Sequence, residues 1–279
     1  MARTVEIAAV MDVGVSSSSL LAAVSPCPND TYIFGAWVLG MVGDVKGFRT
    51  RFIWQDVQTL NEMAARASGD LIKVSAVQAM QAGDKYDILP CGGALSLGHG
   101  PKLVVPAGRK AVPGRIAVPG MQTTAYALLK ACADFEFEPL PMPFDAIPAA
   151  VACGQVDAGL LIHETALIHK LLGLDIYIDL GTWWAEISSG LPLPLGLIII
   201  KKNLGRTIKH QIEAIIRQSI IRARDDSQAV RPLIKSLASE IDDSVLDAHL
   251  KAYVNEYSFD IGTEGRMALS LLSSITSKH

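Results

Sequence analysis

The chain has 279 residues, 50% of them hydrophobic and 19% charged, with a formal net charge of -3. That apolar content fills one large or two ordinary α/β domains. The charge balance supplies no basic field for nucleic acid or an anionic membrane surface, and no run of about 18 apolar residues spans a bilayer, so the expected partner is a small molecule. Four cysteines, Cys27, Cys91, Cys132 and Cys153, are all too far apart in sequence for a zinc site or a redox pair and read as the reduced thiols of a cytoplasmic protein.

In chain order, residues 1–19 read as an N-terminal extension. Arg3 and the apolar residues after it imitate a secretory signal, but Glu6 and Asp12 interrupt them and Ser16 to Ser19 form a polar tract. Leu20 to Val24 predicts a first strand. Ser25-Pro26-Cys27-Pro28 breaks it and delivers Asn29 and Asp30 as N-caps of a helix from Thr31 to Leu39. Phe52 to Trp54 predicts a strand, Val57 to Ala67 a helix with Leu60, Met63 and Ala64 on one face, and Leu71 to Val74 a strand ending at Ser75 before the helix Ala76 to Gln81. Gly92-Gly93 and Gly98-x-Gly100 lack the remaining glycines of a dinucleotide fingerprint and read as tight turns, so no NAD is expected.

The Pro-, Gly- and Arg/Lys-rich stretch from Pro106 to Gly114 suggests a crossing between domains. A second βα series follows: strand Arg115 to Val118, turn Pro119-Gly120, Thr123-Thr124 opening a helix to Ala133, and helix Ala146 to Cys153 closed by Gly154. This series leads into DAGLLIHE, Asp157 to Glu164, whose apolar run predicts a buried strand with His163 at its carboxyl end. Gly181 to Trp184 reads as a turn, with Trp183 and Trp184 as core residues or as a cover over the cleft mouth. Gly196 to Ile200 is the return strand, and the remainder is helical, with Ser244 and Thr263 as caps. The expected organisation is a discontinuous first domain, 20–106 plus 196–279, and a second domain, 107–195.

Several strands thus end in a polar residue that opens a helix: Ser25 with Asn29 and Asp30, Ser75, Thr123 with Thr124, and His163 with Glu164. Helix N-termini carry unpaired N–H groups and partial positive charge, so the pattern suits a small anionic ligand such as a carboxylate, held in a cleft between domains. His163 is the candidate proton acceptor. Glu164 is given little weight in orienting it, because neighbours on an extended segment point to opposite faces. No H-E-x-x-H, G-x-S-x-G or Walker motif occurs, and no metal is expected.

SPCPNDTYIF (Ser25 to Phe34), IAVPGMQTTAYALL (Ile116 to Leu129), DAGLLIHE, and DLGTWW followed by GLPLPLG up to Gly196 are similar to the 1,4-dihydroxy-6-naphthoate synthase family of the futalosine route to menaquinone. The resemblance covers about residues 20–279. It implies an α/β fold like the type II periplasmic binding proteins, two domains with a ligand cleft between them. It also implies a lyase that converts cyclic dehypoxanthinyl futalosine to 1,4-dihydroxy-6-naphthoate without metal or organic cofactor. The implied substrate contacts are Lys73, Val74 and Ser75, the least closely matching segment, with Thr123 and Thr124; the implied proton acceptor is His163. Asn29 and Asp30 join the binding set by their strand-end position. The rival readings are a chorismate dehydratase of the same pathway, which lacks the SPCPND block, and a non-catalytic solute-binding protein.

Overall fold

The computed structural model describes residues 18–238 and 242–277. Most of the expected N-terminal extension lies outside the described residues. The first half of the chain runs β1 (Ser18–Val24), α1 (Pro28–Val38), β2 (Phe48–Trp54), α2 (Val57–Ala65), β3 (Leu71–Ser75), α3 (Ala76–Gln81), β4 (Tyr86–Ile88), β5 (Ala94–Ser96), β6 (Lys102–Pro106), β7 (Arg115–Val118) and α4 (Thr124–Cys132). Then come β8 (Glu138–Pro141), α5 (Ile147–Ala152), β9 (Ala158–Leu161), α6 (His163–Leu167), β10 (Leu174–Asp179), α7 (Leu180–Ile187) and β11 (Leu193–Lys201). The C-terminal helices are α8 (Gly205–Asp225), α9 (Ser227–Leu237), α10 (Asp243–Tyr253), α11 (Glu256–Phe259) and α12 (Gly262–Thr276).

One sheet has the order β2-β1-β3-β11-β4, with β5 also pairing β11; the other has the order β10-β6-β9-β7-β8. In the first, β1 runs parallel to β2 and β3, while β11 is antiparallel to β3, β4 and β5. In the second, β7 runs parallel to β8 and β9, and β6 is antiparallel to β9 and β10. Two strands therefore oppose the parallel sets, β6 after the first crossing and β11 after the second.

Apart from Lys73 and Ser75 of β3, the strands β3 and β9 are apolar because both faces are covered. Leu197 and Ile199 of β11 join one apolar cluster, while Ile198 and Ile200 join another with Phe34 and Trp37 of α1 and Ile212 and Ile216 of α8. The first cluster is shared by the sheets, since it also takes Ile72 and Val74 of β3, Leu103 and Val105 of β6, and Leu160 of β9. Gly159 lets α5 lie directly on β9: a Cβ there would stand 2.4 Å from Ile147 Cγ2 and 2.7 Å from Val151 Cγ2.

Several local expectations are corrected. β6 belongs to the second sheet, so the chain crosses between Ser96 and Lys102, not at Pro106. The Pro- and Gly-rich stretch is a loop within that second unit, gathered by Asp157, which accepts from Arg109 Nη2 at 2.7 Å, Gly114 N at 3.0 Å and Arg115 N at 2.9 Å. Helix α1 starts at Pro28, whose fixed φ suits a first helical position, so Asn29 and Asp30 lie in its first turn and the cap position is Cys27. Gly181 to Trp184 is helical, because Asp179 caps α7 by accepting from Gly181 N and Thr182 N. Asp242, not Ser244, caps α10, and no side chain caps α12 at Thr263.

Candidate active site

The carboxyl ends of β1, β3 and β9 and the N-terminus of α4 converge on one cavity. Asn29, Asp30, Lys73, Val74, Ser75, Thr123, Thr124 and His163 all line it. Its other walls are largely apolar, with Val57, Leu60, Pro101, Ile162 and Leu195 among them.

One wall is built on a buried ion pair. Lys73 Nζ donates to Asp30 Oδ1 at 2.5 Å and to the Gly92 carbonyl at 3.2 Å, and the two charged side chains are 7% and 3% exposed. Asn29 Nδ2 donates to the same Asp30 oxygen at 2.7 Å. Gly196 makes room for the lysine stem, since a Cβ there would sit 3.0 Å from Lys73 Cε. Ser75 is held by Asn61, whose Oδ1 accepts from Ser75 N at 2.9 Å and whose Nδ2 donates to Ser75 Oγ at 3.0 Å.

Across the cavity, Thr123 uses its hydroxyl as a helix cap, accepting from Tyr126 N at 3.2 Å and donating to the Gly120 carbonyl at 2.7 Å. Thr124 Oγ1 donates to the Leu195 carbonyl at 3.0 Å and accepts from Val77 N at 3.3 Å, which ties α4 to the first sheet's elements. Both hydroxyls are thus engaged within the protein. What α4 turns toward the cavity is its first turn, with the partial positive charge of a helix N-terminus.

His163 follows Ile162 where the strand β9 turns into α6, and it takes a left-handed φ of 55°. Such a backbone is uncommon for a residue with a Cβ, and the side chain lines the cavity. The ring packs edge-on against Phe144 at 5.0 Å between centroids. Burial pulls its pKa from the ordinary 6.5 down to about 4, with Asp30 opposing and Lys73 reinforcing the shift. The imidazole is therefore neutral at physiological pH and able to accept a proton. Glu164 Oε2 lies 3.8 Å from His249 Nδ1.

Two polar residues near the cavity are absent from the expected set. Asn61 is fully buried on α2 and also donates to the Gln122 carbonyl at 3.2 Å, and His249 is fully buried on α10, with Nε2 3.0 Å from Asn29 Oδ1. The signal that could have found them is a strongly polar residue on an otherwise apolar helix face, which must be buried with a partner. Trp184 is a core residue, 1% exposed, with Nε1 donating to the Leu191 carbonyl at 2.9 Å, and Trp183 packs beside the same core. Neither lines the cavity, which overturns their reading as a cover for it. Among the described residues, no three His, Cys, Asp or Glu side chains are grouped to hold a metal ion, and no helix is long and apolar enough to cross a membrane.

The histidines make a pH prediction. Burial also lowers His249, to about 3, with His163 as the second cause. An unfolded histidine takes its proton near 6.5, whereas these two refuse it until well below, so the stability present above pH 6.5 is lost as pH falls toward 4. Each contributes a slope of up to about 1.4 kcal/mol per pH unit in that window. The urea midpoint should drop from pH 7 to pH 5, and less so in His249→Gln; equal midpoints at the two pH values would contradict the assigned burial.

The family model described as menaquinone biosynthesis matches residues 20–278. A relative from Thermus thermophilus, called 1,4-dihydroxy-6-naphthoate synthase, is 40% identical over 249 residues, 89% of this chain and 90% of that protein. A relative of the same name from Streptomyces coelicolor is 38% identical, over 91% of this chain and 92% of that protein. Among solved structures, protein AF1704 of Archaeoglobus fulgidus superposes with a TM-score of 0.87 at 33% identity, covering 95% of this chain and 98% of that one. The alkanesulfonate-binding protein SsuA of Xanthomonas axonopodis pv. citri, bound to MOPS, superposes at 0.63 with 16% identity over 85% of each chain, a likeness of fold alone. The fold is accordingly that of the periplasmic binding proteins, and the chain belongs to the menaquinone biosynthesis family.

Proposed function

We propose that the chain is a 1,4-dihydroxy-6-naphthoate synthase of menaquinone biosynthesis, a lyase acting on cyclic dehypoxanthinyl futalosine with His163 as its general base. The observation that carries this reading is a neutral imidazole at the carboxyl edge of β9, facing a largely apolar cavity opposite a helix N-terminus. The first turn of α4 takes the substrate carboxylate, and the apolar walls take its ring system. His163 removes a proton, the electron pair left behind forms a carbonyl on the departing sugar-derived fragment as the carbon-carbon bond breaks, and the pair released from that bond passes into the ring that becomes aromatic. Aromatisation supplies the driving force, so the protein contributes a base, an anchor and exclusion of water.

Asp30 gives His163 a reason to accept the proton as the reaction proceeds, because its negative charge favours the imidazolium. Lys73 opposes it, with the smaller effect of the two. The test is naphthoate formation by the purified protein, followed by absorbance, with cyclic dehypoxanthinyl futalosine and with chorismate as alternative substrates. Turnover of the cyclic substrate alone is expected. Dehydration of chorismate, or binding without turnover, would instead favour the rival readings. The kcat/KM profile should stay flat from pH 8 to below 6 and fall only toward pH 4 to 5, because the free base titrates low; an acid limb at 6.5 would count against the burial assigned to His163.

The two sheets and their helices are further proposed to close on the substrate as two lobes. Asn61 to Gln122, Gln58 Nε2 to Gln122 Oε1 at 3.3 Å, and Thr124 to Leu195 bridge the elements on either side of the cavity, the contacts expected of a closed form. Small-angle scattering should show the radius of gyration decreasing when the naphthoate product is added. No change at saturation would sink the idea.

A further inference from the structure

We propose that His249 is a positioning residue for the reaction at His163: from α10 it donates a hydrogen bond to Asn29 and so fixes the Asn29–Asp30–Lys73 array that forms one wall of the cavity. The proposal rests on the functional reading above for its kinetic consequence, though not for its geometry.

The direction of every bond in the array is determined. A lysine ammonium only donates, so Asp30 Oδ1 accepts from Lys73 Nζ at 2.5 Å. Asn29 lies 2.7 Å from the same oxygen and must present its NH2 group to it. The Asn29 carbonyl is then turned the other way, toward His249 Nε2 at 3.0 Å, and that nitrogen must carry the hydrogen. The neutral ring keeps its lone pair on Nδ1, which makes no hydrogen bond among the described residues. A histidine on the penultimate turn of α10 thus sets the amide orientation of a residue on α1 and, through it, a carboxylate in the cavity wall.

His249 does not line the cavity, but its surroundings place it against the groups that do. α10 packs against both α1 and α6. Tyr253, one helical turn further on the same face, lines the cavity and packs edge-on to His249 at 4.8 Å. The His163 ring lies stacked on it, 6.4 Å between centroids and 26° between planes. His249 therefore lies near-parallel to the base on one side and, through Asn29, governs the carboxylate that favours the protonated base on the other. A histidine that merely filled a core would satisfy its donor anywhere; this one spends it on the residue that orients Asp30.

Without that bond the Asn29 carbonyl loses its contact with the ring, its amide is free to turn, and Asp30 loses the second of its two donors. The first turn of α4 and the apolar walls are untouched, so the loss falls more on the chemical step than on binding. A glutamine amide nitrogen can take the place of Nε2, whereas a leucine of similar bulk cannot.

The experiment compares the full-length wild type with His249→Leu and His249→Gln, each checked for folding by circular dichroism and thermal unfolding. In His249→Leu, kcat should fall about 10-fold or more, the rate equivalent of one buried hydrogen bond, with KM within about twofold; His249→Gln should recover kcat to within about threefold of wild type. A folded His249→Leu protein with kcat near wild type, or a His249→Gln protein as slow as the leucine variant, overturns the proposal. Nitrogen-15 NMR of the wild type at pH 7 gives a readout free of activity: His249 should be neutral with its proton on Nε2. A proton on Nδ1 alone, or a cationic ring, overturns the proposal even if the leucine variant fails to fold. If the wild type makes no naphthoate, the functional reading fails separately, and the tautomer still decides whether the array is held as described.

Discussion

The Asp30–Lys73 ion pair is the constraint around which the site is arranged. Two charges with side chains 3% and 7% exposed cannot be left in an apolar cleft unless each is satisfied in full. Such a pair adds little net stability, because desolvation offsets the attraction, but removing one partner leaves a buried charge that costs about 3 to 5 kcal/mol. Its geometry therefore dictates that of its neighbours: the Ser25 to Asp30 segment has to deliver α1 at one position, the Gly92 carbonyl has to meet the ammonium, and β11 needs a glycine at 196 to pass the lysine stem. The same pair acts on His163 with opposite signs, so that burial decides where the imidazole titrates.

Around this wall the protein uses a binding-protein architecture for chemistry. The fold itself specifies a cleft, not a reaction. What distinguishes this cleft is a histidine with a left-handed φ at the end of β9 and the first turn of α4, enclosed by largely apolar walls. The shared apolar cluster packs the two sheets together, and polar bridges from Asn61 to Gln122 and from Thr124 to Leu195 join elements of both.

Much of this was legible in the sequence because the signal is local. A strand that stops at a polar residue before a helix marks a carboxyl edge, and the residues so marked, from Asn29 to His163, all face one cavity. What was not legible depends on distant partners. The short β6 looks the same whichever sheet it joins, and only its antiparallel pairing with β9 and β10 assigns it. The Pro- and Gly-rich loop after it resembles a linker until Asp157, far along the chain, is seen to gather its backbone N–H groups. Asn29 and Asp30 are good capping residues by type, yet Pro28 starts the helix ahead of them and frees their side chains for Lys73 and His249. His249 itself is separated from Asn29 by 220 positions, a distance over which residue type alone carries no pairing information.

The central claim is that His163 accepts the proton in this cleft, and the most direct measurement separates its chemistry from binding. In His163→Asn, which keeps polarity and approximate size but removes the base, calorimetric titration of the naphthoate product should give an affinity within a few-fold of wild type. The single-turnover rate on the cyclic substrate should fall by about 10² to 10⁴. A folded His163→Asn protein that turns over the cyclic substrate within a few-fold of wild type would contradict the account.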